Sequence, residues 1–521
     1  GSDDGKKDRG RLVMAPYAPK SVNINPRLLA ENGEYMLGIG RDPGKEDPKV
    51  EARHSAFVEA VRLCATKLDD NSLKVVLRFL EKGPVPERNI PENFDARDIL
   101  TFRVDDELPI LLPSVKEYWA LAGAPKDGKQ LRCLVCNEVK FCPESHPFQV
   151  KGIRGGNPTG MAISSANADA FESYGLERSL IAPTCLDCGE LAIKALDKLL
   201  DIDDHHINVG PVSYIFWCKG VEFNPASFIS DPVPGEVRAL LESPWKARPA
   251  ATNVDHTHFY AVALTANNAR VVVRDWIDTT VEEAKASLAR YFALQKIADP
   301  DGSEWVPSTV FALAAATVRE AKDLPAHTVE GLLRFIFHGG VLPVWLLFEA
   351  VRRNRAEQTV TRSRAALIKL VLLSQDPNFN GGEDMVELDA GMCRPAYLCG
   401  RLLAVLDRLQ RQAIGQKIDS SVAERFYGAA SATPNVVFPT LMRKAEVHFA
   451  KLRSQSDPAG YAIRTEVEEI LSGLKREFPS VLVLKDQGLF ALGYYHQRAH
   501  DRAQARERKE QKEAAKAAAA E

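Results

Sequence analysis

The sequence predicts an α+β protein: a mixed N-terminal domain with a cysteine knuckle and β-hairpins, followed by a mainly helical half ending in a C-terminal helical bundle. Three observations carry this expectation. Two Cys-x-x-Cys pairs, Cys133-Leu-Val-Cys136 and Cys185-Leu-Asp-Cys188, lie in the first half. Two alternating apolar runs, 259–265 and 270–276, flank an Asn-rich turn, which is the pattern of a hairpin. After Thr280 the chain reads as helical nearly throughout. At 521 residues, 45% hydrophobic and 26% charged, it suits two to four globular domains and is not mainly disordered.

Residues 1–130 form a loop-rich mixed domain with helices over 55–68 and 72–82, preceded by the polar loop of Lys20, Ser21, Asn23 and Asn25. The chain opens Gly1-Ser-Asp-Asp-Gly, with neither an initiator Met nor an apolar signal region, so an upstream stretch and a cytoplasmic location are expected. Residues 131–280 hold the knuckle, a long insertion and the hairpin, as a β-rich part of the same body. Residues 281–380 form a helical domain, with helices over 281–297, 308–322, 329–337, 345–358 and 362–373. The breaker-rich run Asp376-Pro-Asn-Phe-Asn-Gly-Gly-Glu-Asp384 closes it. Residues 385–521 form a bundle of four helices. The first carries the stripe Leu398, Leu402, Leu403, Leu406 and Leu409; the others cover 439–452, 463–474 and 485 to the tail. The longest apolar run, 341–348, is interrupted by Pro343 and is far short of the ~18 residues a membrane span needs.

The two cysteine pairs predict one structural zinc site on Cys133, Cys136, Cys185 and Cys188, because each pair offers two thiolates from one tight turn. Cys142 and His146 are the possible substitutes. A deaminase centre is excluded. That motif needs His-x-Glu and Pro-Cys-x-x-Cys, whereas Thr184 separates Pro183 from Cys185 and Pro147-Phe148 follows His146. Four thiolates also leave no open coordination position for water.

Charge is nearly balanced, 67 basic residues against 70 acidic, which argues against a general nucleic-acid coat. Its distribution is uneven. Residues 392–521 carry 21 Lys and Arg against 15 acids, a local +6, so the preceding 391 carry −9. Arg352, Arg353, Arg355, Arg362, Arg364 and Lys369 face only Glu357 within 352–369, and 145–168 contains no acid. Local basic surfaces on a neutral body suit contact with nucleic acid inside a larger assembly. The run Lys151-Gly-Ile-Arg154-Gly-Gly-Asn157-Pro-Thr159-Gly160 is neither a P-loop nor a dinucleotide fingerprint. It reads as a basic glycine loop whose N–H groups can approach phosphate, or as a tight turn with solvated charges.

Several separated motifs resemble one family. Cys133-Leu-Val-Cys136, His146-Pro147, the run from Lys151 to Asn157 and Asn167-Ala-Asp-Ala-Phe-Glu-Ser-Tyr-Gly175 are similar to the signature region of the large subunit of the type I-C CRISPR interference complex (Cascade). So are Asn32-Gly-Glu-Tyr-Met-Leu-Gly38, Arg53-His-Ser-Ala-Phe57, Ala396-Tyr-Leu-Cys-Gly-Arg-Leu-Leu-Ala404, Arg425-Phe-Tyr-Gly-Ala-Ala-Ser-Ala-Thr-Pro434 and Gln487-Gly-Leu-Phe-Ala-Leu-Gly-Tyr-Tyr-His-Gln-Arg498. The chain departs from the family in three ways. Members usually begin further upstream, many lack the second cysteine pair, and the glycine loop usually ends Gln-Ser-Ser-Gly rather than Asn157-Pro-Thr-Gly160.

The resemblance implies a non-catalytic DNA-binding subunit. It would recognise the PAM in double-stranded target DNA, help open the duplex, stabilise the R-loop and present the displaced strand to a separate helicase–nuclease. Its partners would be a guide RNA (crRNA) ribonucleoprotein with backbone and 5′-end subunits, and small subunits made from its own C-terminal part from Met385 or Met392; no membrane is implied. PAM reading falls to Lys20, Ser21, Asn23 and Asn25, and duplex backbone to Lys151, Arg154, Asn157, Thr159 and Asn167. DNA phosphate falls to Arg352, Arg353, Arg355, Arg362 and Arg364, and the displaced strand to Arg443, Lys444, Lys451 and Arg453. Two other readings are a zinc-containing nuclease using His146 and Asn167, and a zinc-stapled regulator that binds protein only.

Overall fold

The computed structural model describes residues 24–41, 47–83, 94–122, 127–166, 168–219, 225–233, 236–237, 258–299, 305–379, 385–415, 419–475 and 477–518. Internal contacts gather the chain into two units, residues 1–148 with 164–191, and residues 149–163 with 192–521.

In the first unit, strand β1 (Ala30–Asn32) pairs antiparallel with β2 (Ile99–Thr101). Asn32 caps the short helix α1 (Gly33–Met36) by accepting from Tyr35 N–H. Helix α2 (Pro48–Leu68) starts seven residues before the position expected. Asp47 accepts from Lys49 N–H and Pro48 takes the first helical position, two start signals readable in the sequence. Helix α3 (Asn71–Leu80) follows, capped by Asp70, and α4 (Pro113–Ala122) closes the core of Leu28, Phe57, Val61, Leu73, Val76 and Val115. Glu34 is buried, and its carboxylate is held by Arg53 at 3.1 Å and Arg41 at 3.0 Å, as a buried charge requires. The motifs at 32–38 and 53–57 are therefore joined by an ion pair. A hairpin, β3 (Gly128–Arg132) with β4 (Val139–Pro143), leads to the cysteines. Helix α5 (Leu186–Leu200) begins in this unit and ends in the second.

The second unit opens on an antiparallel sheet in the order β5 (His206–Val209), β6 (Val212–Cys218), β7 (His258–Asn267), β8 (Arg270–Thr280). The hairpin lies where the alternation predicted it, and turns through Asn268 at φ +54°, a conformation Asn tolerates. Period two sorts the strands' side chains. Tyr214, Phe216, Ala261 and Ile277 join the helical core; Ile215, Val262, Leu264 and Val271 face Val150, Ile153 and Met161 on the other side.

Helices α6 (Ala226–Ser230), α7 (Val281–Gln295), α8 (Val310–Ala315), α9 (Ala326–His338), α10 (Val344–Glu357) and α11 (Arg362–Gln375) follow. The helix expected over 308–322 stops early. Thr317 donates its hydroxyl to Ala314 O at 2.7 Å, an alternative to continued helical bonding. Beyond 380–384, which lie outside the described residues, come α12 (Pro395–Ile414), α13 (Val422–Ala430), α14 (Pro434–Ser454), α15 (Pro458–Gly473) and α16 (Leu484–Ala518). Helix α13 was not expected, although its capping box, Ser421 with Glu424, is visible in the sequence. One apolar core runs from Ile207 to Ala499, so the helices on both sides of 376–384 share it. In that core α16 lies along α12 so closely that glycines are needed. A Cβ at Gly400 would sit 2.0 Å from Phe490 O, and one at Gly493 would sit 2.1 Å from Tyr397 O. No helix among the described residues is long and apolar enough to cross a membrane.

Candidate metal centre and nucleic-acid interface

The first cysteine pair sits where β3 turns into β4. Asn137, at φ +60°, lets the chain reverse, Cys133 N–H donates to Glu138 O at 2.8 Å and Asn137 N–H donates to Cys133 O at 2.9 Å. The second pair enters from Pro183, whose carbonyl accepts from Leu134 N–H at 2.9 Å, and continues into the first turn of α5. These bonds place the sulfurs of Cys133, Cys136, Cys185 and Cys188 all within 4.8 Å of one another. Four sulfurs about 2.3 Å from a central cation would be about 3.8 Å apart, so small adjustments suffice to hold a metal ion. Burial raises the Cys133 thiol, but N–H groups of Cys136, Cys185 and Val135 outweigh it and bring it down to about 6. Burial first, and then the neighbouring thiols, push Cys188 up to about 12. A divalent cation held there would supply the positive charge that lets four thiolates coexist.

Neither expected substitute belongs to this group. Cys142 is buried beside it with its thiol directed at the Lys140 and Leu131 carbonyls, at 3.6 and 3.9 Å. His146 packs its ring on Gly189, so closely that a Cβ there would lie 1.9 Å from Cε1; burial pushes the imidazole down. Asn167, its partner in the nuclease reading and a candidate backbone contact, lies outside the described residues.

The glycine loop is an ordered turn in the second unit. Val150 and Met161 exchange backbone bonds of 2.9 and 2.8 Å at its neck, and Ile153 is buried beneath it. Gly152, Gly155 and Gly160 adopt φ of +83°, +75° and +120°, the conformations for which glycine is suited. Asn157 accepts from Thr159 N–H and hydroxyl at 3.1 and 2.8 Å, so both side chains bond within the turn. Lys151 and Arg154 are exposed and make no ion pair with described residues; their N–H groups are bonded to Asp197 and Ser213.

The arginine series divides. Arg353 and Arg364 are buried and both bind Glu357, and Arg364 also reaches Ala316 O and Thr359 O at 3.3 Å. Burial raises the Glu357 carboxyl, but the Arg364 and Arg353 guanidiniums outweigh it and hold it below its ordinary value. These two arginines join α10 to α11 and, in this arrangement, face protein rather than solvent. Arg362 pairs with Asp299 at 3.3 Å, and Arg352 is exposed but bound to Glu349 at 2.5 Å. Arg355 is exposed without an ion pair among the described residues. On α14, Arg443, Lys444, Lys451 and Arg453 are exposed; Lys444 lies over the Phe426 ring at 5.3 Å. Of the N-terminal loop, Lys20, Ser21 and Asn23 lie outside the described residues, and Asn25 is partly buried. Sequence reading missed the pairs Glu34–Arg53 and Glu357–Arg364, because a charge run does not reveal which members fold against an acid.

Residues 1–501 match the family of the CRISPR-associated protein Cas_Csd1. No curated protein matches the chain.

Proposed function

This chain belongs to the Cas_Csd1 family of CRISPR-associated proteins, the type I-C large subunits, and from that premise we propose that it recognises the PAM, helps open the target duplex and stabilises the displaced strand. The observation that carries this reading is the extent of the match, 1–501 of 521 residues, which covers both units. In this reading guide-RNA pairing identifies the target and the protein reads a short adjacent duplex. Lys151, Arg154, Arg352, Arg355, Arg443, Lys444, Lys451 and Arg453, all exposed, meet phosphate. The polar loop of Lys20, Ser21, Asn23 and Asn25 reads the PAM bases.

The four cysteines hold zinc as a staple: they would supply four thiolates and leave no position for substrate, which supports a non-catalytic subunit. The subunit works in the cytoplasm with a guide-RNA ribonucleoprotein, a helicase–nuclease and small subunits copied from its own C-terminal residues. Co-expression with a guide RNA and the other subunits tests the reading. A ribonucleoprotein that contains this chain and binds PAM-bearing duplex is expected. Failure of the chain to enter any such particle, or cleavage of DNA by the purified chain with a divalent metal, would overturn it.

A further inference from the structure

One end of the sheet's outer face carries a row of aromatic rings. Strands β6, β7 and β8 each place one there: Trp217, Tyr260 and Trp276. Trp217 and Tyr260 are register partners, stacked with centroids 5.6 Å apart and planes 21° apart. His258 stacks on Tyr260 at 5.7 Å and 11°, and Trp276 meets Trp217 edge-on at 5.7 Å. Trp217 and Tyr260 are half-buried, Trp217 packing on the apolar cluster under the glycine loop, and the outer rings of the row are open to solvent. Trp276 is 53% exposed and His258 about half exposed, whereas the opposite face of the same strands is buried in the helical core.

Positive charge flanks the row. Exposed Lys219 directly follows β6, and its N–H donates to His258 O at 3.1 Å, which sets it beside the row. Ser213, four residues before Trp217 on that face, lies about 13 Å away along the strand at ~3.3 Å per residue. Its hydroxyl accepts from Arg154 N–H at 3.3 Å, which ties the loop carrying Lys151 and Arg154 to the same side. The face also carries Asp278, bound to His258 at 3.4 Å.

We propose that this aromatic row is a stacking platform for unpaired bases of a single DNA strand, with Lys219 and the Lys151–Arg154 loop guiding its phosphates. Rings on adjacent strands suit bases, because every base has a π-face, and cations on either side suit the backbone between them. The inference deepens the reading above, which supplies such a strand when the target duplex opens.

The test uses the full chain and three labelled probes: oligothymidylate, oligouridylate of equal length and a blunt duplex, read by fluorescence anisotropy. Trp276→Ala and His258→Ala are expected to weaken oligothymidylate binding about 5- to 100-fold, in line with loss of one stacked base. Duplex binding should stay within twofold of wild type, and Trp276→Phe should restore single-strand binding to within threefold. Lys151→Ala with Arg154→Ala should flatten the salt dependence instead. Unchanged binding in both alanine variants would overturn the proposal, as would Trp276→Phe as weak as Trp276→Ala. Tighter binding of oligouridylate than of oligothymidylate would overturn the assignment to DNA. Entry into the guide-RNA particle is scored separately. A variant that assembles yet binds single strands like wild type defeats the platform and leaves the functional reading intact. A wild-type chain that binds single strands through Trp276 but never assembles does the reverse.

Discussion

Substituting alanine for Gly400 should destabilise the second unit, although alanine is the better helix former by about 1 kcal/mol. The added Cβ would lie 2.0 Å from Phe490 O and 2.8 Å from Tyr494 N, both backbone atoms of α16 that cannot rotate away. Ordinary contact begins near 3.4 Å, so the helices must separate by the difference, 3.4 − 2.0, or about 1.4 Å. A gap of even 0.5–1 Å forfeits roughly a quarter to a half of each facing dispersion contact. Overpacking of this kind costs about 3 kcal/mol, which leaves a net loss of about 2 kcal/mol after the propensity gain. Gly493→Ala, with its Cβ 2.1 Å from Tyr397 O, should cost about as much. Because either substitution opens the same interface, the double variant should lose less than the sum. Gly331→Ala is the control: in α9 the nearest atom to its Cβ is Pro343 Cγ at 3.7 Å, so only the propensity gain of roughly 0.5–1 kcal/mol remains. Urea unfolding by circular dichroism, with hydrogen exchange read on 395–414 and 484–499, measures all four. Equal or greater stability of Gly400→Ala would refute the close approach of α12 and α16.

Cys133→Ser or Cys188→Ser should remove about one bound zinc per chain in elemental analysis, and exchange protection at 128–143 should fall with it; metal-free protein of unchanged protection would refute the staple. Lys151→Ala with Arg154→Ala should lower the slope of log affinity against log salt by about 1.8 for duplex DNA if both meet phosphate. Arg364→Ala should instead destabilise the fold by roughly 1–3 kcal/mol, by taking the buried donor away from Ala316 O and Thr359 O and leaving Glu357 to Arg353 alone; an effect on salt slope alone would contradict its burial. His496 is fully enclosed, accompanied by Tyr397 and Lys369, and burial first lowers its imidazole to about 3. The unfolded chain therefore takes up this proton near pH 6.5 while the folded one resists until about 3. Stability should fall by up to about 1.4 kcal/mol per pH unit as acidity rises through that window. His496→Gln should flatten that slope in melts between pH 6.5 and 4, and an unchanged slope would assign the acid sensitivity elsewhere. Residues 385–521 expressed alone should keep helical dichroism through the α12–α16 pair but melt lower than in the full chain. Gly488 of α16 is seated on Leu347, Ile368 and Leu372, which the fragment lacks; loss of helix would refute independent folding.

Local pattern was enough to read the hairpin, most helices of the second half and the four cysteines. Each depends on periodicity or short spacing: alternation over 258–280, threes and fours along α10, α11 and α12, and two residues between paired thiols. The family was also legible, because its motifs sit in separated stretches that fold into both units. Helix ends were less legible where side chains compete with backbone, as Thr317 does at the end of α8. Only tertiary structure decided which charges are free. Arg353 and Arg355 are two residues apart in one basic run, yet one is enclosed against Glu357 and the other is exposed. It likewise turned the 396–404 and 487–498 motifs from apolar stripes into two glycine-lined helix faces in backbone contact. It also gathered Trp217, Tyr260 and Trp276 from three strands onto one face. The reason is the same in each case: sequence spacing fixes which side of an element a residue occupies, whereas exposure, pairing and approach depend on what distant chain packs against that side.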